Sequence, residues 1–108
     1  MHQTEDRPLR SYVFVSTEPG KTRTAARGMS ELELPGCRIV AVDQVIGGCD
    51  IIAKIETVDL DCLARVITDG IREVDGVLDV VASWCVDRHE ALEAQFSGRP
   101  ERSLVSVS

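Results

Sequence analysis

Two hydrophobic rhythms alternate along residues 11–86. Residues 11–17 (SYVFVST) are a β-branched and aromatic run stopped by Pro19-Gly20, which predicts a first strand. Across 21–34 the spacing changes to threes and fours at Ala25, Ala26, Met29 and Leu32, the stripe of an amphipathic helix that Pro35-Gly36 ends. Gly28 weakens that helix by about 1 kcal/mol relative to Ala. Residues 37–46 (CRIVAVDQVI) and 50–57 (DIIAKIET) read as strands two and three, and the Gly47-Gly48 punctuation between them predicts a hairpin. Helix two follows over 59–74, with Leu60, Leu63, Ile67, Ile71 and Val74 on one stripe and Val66 and Gly70 beside it. Asp59 is placed to cap it, and Asp61 suits the positive end of its dipole. Asp75-Gly76 closes the helix, and 77–86 (VLDVVASWCV) is strand four.

The order β-α-β-β-α-β carries a weak echo at a spacing of 40 residues, Gly36 with Gly76 and Val40 with Val80. Two split β-α-β halves predict an α+β, ferredoxin-like sandwich: a four-stranded antiparallel sheet with both helices on one face. Such a sheet should alternate apolar and polar residues if its other face met water. Strand two does not, since Ile39, Val40, Ala41 and Val42 are consecutive, nor does strand four, with Val80, Val81 and Ala82 followed by Trp84. In strand one, Tyr12/Phe14 and Val13/Val15 supply apolar side chains to opposite faces. Two apolar faces predict a homodimer formed through the sheet, with Trp84 packed in its seam and Val81 or Val40 facing it.

Length and charge narrow the classes. The chain has 108 residues, with 44% hydrophobic and only 4% aromatic residues, so one domain with an aliphatic core is expected over 11–87. Residues 1–10 read as a polar flexible tail, and 88–108 as a short helical turn and a second tail. Twelve Lys and Arg against eighteen Asp and Glu give −6, the wrong sign for gripping a phosphate backbone, so no direct nucleic-acid binding is expected. No signal-like or membrane-length apolar run occurs, which predicts a cytoplasmic protein with no membrane partner.

The candidate chemistry is sparse. Cys37, Cys49, Cys62 and Cys85 make no Cys-x-x-Cys pair and read as structural thiols, so neither a metal nor a cofactor is expected. Glu18-Pro19-Gly20-Lys21 lacks the spacing of a phosphate-binding loop and reads as a turn and helix start. The cluster 87–90 (DRHE) holds titratable groups but reads as a solvated helix start, as Asp59, Asp61 and Asp69 read as a solvated face. With His2 in a tail and His89 as the other histidine, no Ser-His-Asp constellation can be built, and no catalytic residue is assigned.

Several segments in order resemble the effector-binding (RAM) module of the Lrp/AsnC family. They are Glu18-Pro19-Gly20, Leu34-Pro35-Gly36, the Gly-x-x-Asp turn from Gly47 to Asp50 with the strand Ile51-Ile52-Ala53-Lys54-Ile55, and the helix pattern Asp59-Leu60-x-x-Leu63 running on to Ile71-Arg72-x-Val74-x-Gly76-Val77. Together they cover residues 12–86, about two-thirds of the chain. About ten residues precede the first strand, so the resemblance is to stand-alone members without the helix-turn-helix. It implies sheet-to-sheet dimers, further assembly into octamer-like rings, an amino acid or similar metabolite bound between dimers, and full-length Lrp/AsnC regulators as partners.

Carried over residue by residue, the resemblance gives Gly47, Gly48 and Asp50 as ligand-binding candidates, with Ser83 as the polar residue of strand four. Glycines let backbone amides approach a ligand carboxylate, and Asp50 can accept from an α-ammonium group. The plainer alternative is that Gly47-Gly48 only turns the hairpin and Asp50 only caps it. Where amino-acid-binding members place Thr or Ser, this chain has Val80 and Ala82, which implies a more apolar cleft. The expected function is a non-catalytic effector-binding and oligomerisation module linked to transcriptional regulation of metabolism. A small dimeric α+β-barrel enzyme, monooxygenase- or isomerase-like, and a purely structural oligomeriser are the alternatives.

Overall fold

The computed structural model describes residues 8–86; the 1–7 stretch of the expected N-terminal tail, the 87–90 cluster and the expected helical turn after it lie outside that range. Strand β1 (Leu9–Thr17) is followed by helix α1 (Thr22–Ser30), strands β2 (Cys37–Gln44) and β3 (Ile51–Thr57), helix α2 (Leu60–Arg65) and strand β4 (Val77–Trp84). The sheet runs β2-β3-β1-β4 with every neighbouring pair antiparallel. This is the ferredoxin-like α+β sandwich that the β-α-β-β-α-β order predicts.

Alternation along β1 and β3 separates the two faces. Val13 and Val15 pair with Ala53 and Ile51, and all four are buried beneath the helices. Ala25, Ala26 and Met29 of α1 close on them, as do Val66 and Ile71 of the second helical segment. The core is aliphatic, as expected from so few aromatic residues.

The helices depart from the stripes read along the sequence. Helix α1 stops at Ser30, whose Oγ donates to the Arg27 carbonyl at 2.8 Å, instead of running to 34. Glu31-Leu32-Glu33-Leu34 alternates with period two, and Pro35 disfavours helical backbone at Leu34, so this stretch leaves the helix while its leucines still pack on the core. Helix two starts as expected, with Asp59 Oδ1 accepting from the Cys62 amide at 2.8 Å. After Arg65 it widens to a π turn over Val66–Gly70 and tightens to a 3₁₀ turn over Ile71–Glu73. The inward face therefore comprises Leu63, Val66, Gly70 and Ile71, while Leu60 is 50% exposed.

Gly28 has a packing role rather than being a weak spot. A Cβ there would lie 2.8 Å from Val74 Cγ1, so the missing side chain lets α1 approach the end of the second helical segment.

The run Ile39-Val40-Ala41-Val42 is partly explained by a bulge. Pairing with β3 shifts between Ile39 and Ala41, so Ile39 and Val42 both turn to the helix side while Ala41 pairs with Lys54 on the other face.

Candidate functional site

The β2–β3 hairpin ends beside the C-terminal end of β1. The Val45 amide donates to the Asp50 carbonyl at 2.9 Å, closing the turn, and the Asp50 amide donates to the Val15 carbonyl at 2.9 Å. Gly47 has φ of +152°, a backbone conformation that side-chain-bearing residues rarely adopt, and both Gly47 and Gly48 are exposed with open space around them. Their backbone is thus accessible to a small molecule.

Asp50 is half-buried and already engaged. Its Oδ2 accepts from the Thr17 amide at 2.8 Å and from Thr17 Oγ1 at 3.2 Å, and Thr17 Oγ1 lies 2.7 Å from Thr22 Oγ1 at the start of α1. The carboxylate therefore joins the hairpin to β1, and through the two threonines to α1. Thr17, 33 residues upstream, is the partner that local reading of the Gly-x-x-Asp turn misses.

Ser83 is not brought to this turn within one chain. It pairs with Tyr12, three residues along β1 from Val15, which is roughly 10 Å at the usual rise per residue. Its exposed side chain lies on the face away from the helices.

Two expectations for strand four are corrected by register. Val80 and Ala82 pair with Val15 and Val13 on the helix side, and Val80 is only 7% exposed, so it is core rather than cleft lining. Trp84 pairs with Ser11 on that same side, so it does not lie on the open face where the sheet seam was expected. Trp84 is 49% exposed at the end of the strand.

The open face carries Tyr12, Phe14, Ile52, Ala41 and Val81, and Val81 is 56% exposed. At one end Glu56 sits between two arginines, with Oε1 3.1 Å from Arg38 and Oε2 3.6 Å from Arg10. The hydrogen bond from Arg38, aided by both positive charges, holds the Glu56 carboxyl below its usual range although partial burial opposes this.

A cleft of about 480 Å³ that the sequence did not suggest opens between the 34–36 connection and the second helical segment. It is lined by Leu34, Pro35, Gly36, Cys62, Arg65, Val66 and Asp69, and Arg65 Nη2 lies 3.9 Å from Cys62 Sγ. Nearby, burial followed by the proximity of Cys62 pushes the Cys37 thiol above its ordinary value, which keeps it protonated and weakly nucleophilic at neutral pH. All four cysteines are free and half-buried, and both histidines fall outside the described residues. No helix among the described residues is long and apolar enough to cross a membrane.

No protein-family model matches the chain, and no protein of curated function matches it in sequence. Solved structures do match its fold. The TTHA0845 protein of Thermus thermophilus superimposes with a TM-score of 0.68 at 20% identity, over 77% of this chain and 99% of that one. AsnC of E. coli matches with a TM-score of 0.71 at 11% identity, over 84% of this chain and 59% of its own. A transcriptional regulator from Neisseria meningitidis, solved as its L-Met complex, matches with a TM-score of 0.68 at 15% identity, over 84% and 58%. The chain thus spans just under three-fifths of the length of these two regulators. The likeness defines an Lrp/AsnC-like fold.

Proposed function

We propose that this chain is a non-catalytic effector-binding and oligomerisation module of the Lrp/AsnC type, which binds an amino acid or similar metabolite and contributes to transcriptional regulation of metabolism. The observation that carries the reading is the accessible Gly47-Gly48 backbone at a hairpin fixed by Asp50, in a fold shared with a regulator solved with L-Met. In this reading the glycine amides meet the ligand carboxylate. Both Thr17 bonds use Asp50 Oδ2, so Oδ1 is the oxygen offered to a ligand ammonium group.

Ser83 lies roughly 10 Å along the sheet from the turn, so it would join the same ligand only across an interface between copies. A homodimer through the open sheet face, and a higher ring-like assembly, supply such interfaces. Co-assembly with full-length regulators in the cytoplasm completes the proposal. The apolar open face supports association; burying it removes from water a patch that single-copy proteins rarely expose.

The test is thermal unfolding of the protein with each of the twenty amino acids at millimolar concentration. A ligand at about 100 times its dissociation constant adds roughly 2.7 kcal/mol, which moves the midpoint by several degrees. A shift confined to one or a few amino acids supports the sensor. A flat response across all twenty removes amino acids as the effector and leaves a structural oligomeriser as the better reading.

A further inference from the structure

The four free thiols are spread unevenly over the fold. Cys49 is in the β2–β3 turn, a strand's length or roughly 25 Å from Cys37 at the start of β2. Cys85 follows β4, which stands three strand spacings from β2, about 14 Å across the sheet. Cys37 and Cys62, by contrast, are brought together.

Hydrogen bonds pin the start of β2 to the start of α2. The Val58 amide donates to the Gly36 carbonyl at 3.0 Å, and Asp59 caps α2 by accepting from the Cys62 amide at 2.8 Å. The Thr57 hydroxyl donates to the Asp59 carbonyl at 3.1 Å, and Thr57 pairs with Cys37 across the strands. Cys62 Sγ thereby rests on Gly36, where a Cβ would stand only 2.9 Å from the sulfur. With consecutive Cα atoms about 3.8 Å apart, Cys62 Sγ is no more than about 8 Å from the Cys37 Cα. Cys37 packs against the core beneath the helices, on the side that Cys62 approaches.

The two sulfurs differ in their surroundings. Cys62 lines the 480 Å³ cleft, and Arg65 Nη2 is 3.9 Å from its Sγ, so a small oxidant in the cleft meets Cys62 beside a fixed positive charge. Cys37 does not line that cleft, and burial, then the proximity of Cys62, holds its thiol above the ordinary value. An accessible thiol backed by a more sheltered one is the arrangement of an attacking and a resolving cysteine.

We infer that Cys62 and Cys37 are a redox pair: a peroxide entering the cleft oxidises Cys62, and Cys37 resolves it to an intrachain disulfide that ties β2 to α2. In the first step the Cys62 sulfur attacks one peroxide oxygen, the O–O bond breaks, and the thiol proton leaves with the departing hydroxide as water, giving a sulfenic acid. In the second the Cys37 sulfur attacks the Cys62 sulfur, the S–O bond breaks, and the Cys37 proton leaves with that hydroxide as a second water. The two electrons lost by the thiols reduce hydrogen peroxide to two waters. A small dithiol reverses the change by thiol–disulfide exchange. Side-chain rotation and the 34–36 connection, which belongs to no helix or strand, close the distance between the sulfurs. The inference goes beyond the effector reading and does not depend on it.

Trypsin separates the four cysteines, with Cys37 in 28–38, Cys49 in 39–54, Cys62 in 55–65 and Cys85 in 73–88. The test treats the reduced full chain with a small excess of hydrogen peroxide, alkylates the remaining thiols and maps the peptides. The chain should lose the mass of two hydrogens, keep two alkylatable thiols and yield 28–38 joined to 55–65, all reversed by dithiothreitol. Its thermal midpoint should rise by several degrees on oxidation, because the cross-link restrains the unfolded chain. Links through Cys49 or Cys85, links between chains, or Cys62 driven to sulfinic acid without a link would each overturn the pair. So would an oxidised midpoint below the reduced one, since a bond made only by distortion destabilises. The order of reaction is read with a dione probe for sulfenic acid, which should label Cys62 in Cys37→Ser and leave Cys37 unlabelled in Cys62→Ser. Equal labelling in the two variants would overturn the assigned roles.

Discussion

Asp50 Oδ2 takes both the amide and the hydroxyl of Thr17, so the side chain proposed to meet a ligand ammonium group is also a bolt between the hairpin and β1. Asp50→Ala would leave the half-buried Thr17 amide without its acceptor, and we expect a loss of about 1–3 kcal/mol in urea denaturation. Asp50→Asn keeps an acceptor oxygen and should recover much of that loss, which makes it the variant for testing ligand affinity. An unchanged urea midpoint for Asp50→Ala would show that the clamp contributes nothing. Glu56 gives a prediction in pH. Its carboxyl titrates below the unfolded value near 4.3, so its contribution is fully present above that value and is lost as pH falls through the folded one. Removing the larger cause with Arg38→Ala should therefore lower the melting temperature at pH 7, and the gap from native should shrink as pH falls toward 3. A gap constant with pH would mean that the ion pair does not couple to stability. The turn glycines and Asp50 were legible because Gly-Gly between apolar runs is a local signal. Thr17 was not, because a bond across 33 residues leaves no local pattern.

At the scale of elements, the strands were read closely and the helices less so. Strands announce themselves by β-branched runs between Gly and Pro, and all four observed strands overlap the runs that predicted them. Helix two illustrates what periodicity cannot carry. A π turn adds a residue to the repeat, so across it Val66, Gly70 and Ile71 are the buried positions while Ile67 is only half-buried. The open face was half-legible for a similar reason. Consecutive apolar residues in β2 coincide with a bulge, which a sequence pattern does not separate from two-sided burial. Gly76 joins the second helical segment to β4 with φ of +97°, and a Cβ there would stand 2.9 Å from Lys21 Cβ and 3.1 Å from the Lys21 carbonyl oxygen. Its own carbonyl accepts from the Glu18 amide at 2.8 Å, so the glycine packs directly on the β1–α1 turn. Gly76→Ala combines backbone strain with a clash against main chain and should cost about 2–3 kcal/mol, measured by chemical denaturation. A cost below about 0.5 kcal/mol would show that the turn yields freely.

At the scale of the whole molecule, the strand order and the Lrp/AsnC-like likeness agree with the topology read from the sequence. Of the residues expected at a sheet seam, Val81 lies on the open face, whereas Trp84 pairs on the helix side. That difference arises because Trp84 is three residues from Val81, an odd step that turns it to the other face of the strand. A ligand held at Gly47-Gly48 by groups from more than one chain requires the assembly to exist first, so association is the claim on which the sensor reading depends. The most direct measurement is the solution mass of the full chain by light scattering, native beside Val81→Glu. We expect a native mass of two copies or a multiple of two, falling to a lower mass when Glu replaces Val81. A native mass of one copy, or a Val81→Glu variant with the native mass, would contradict it.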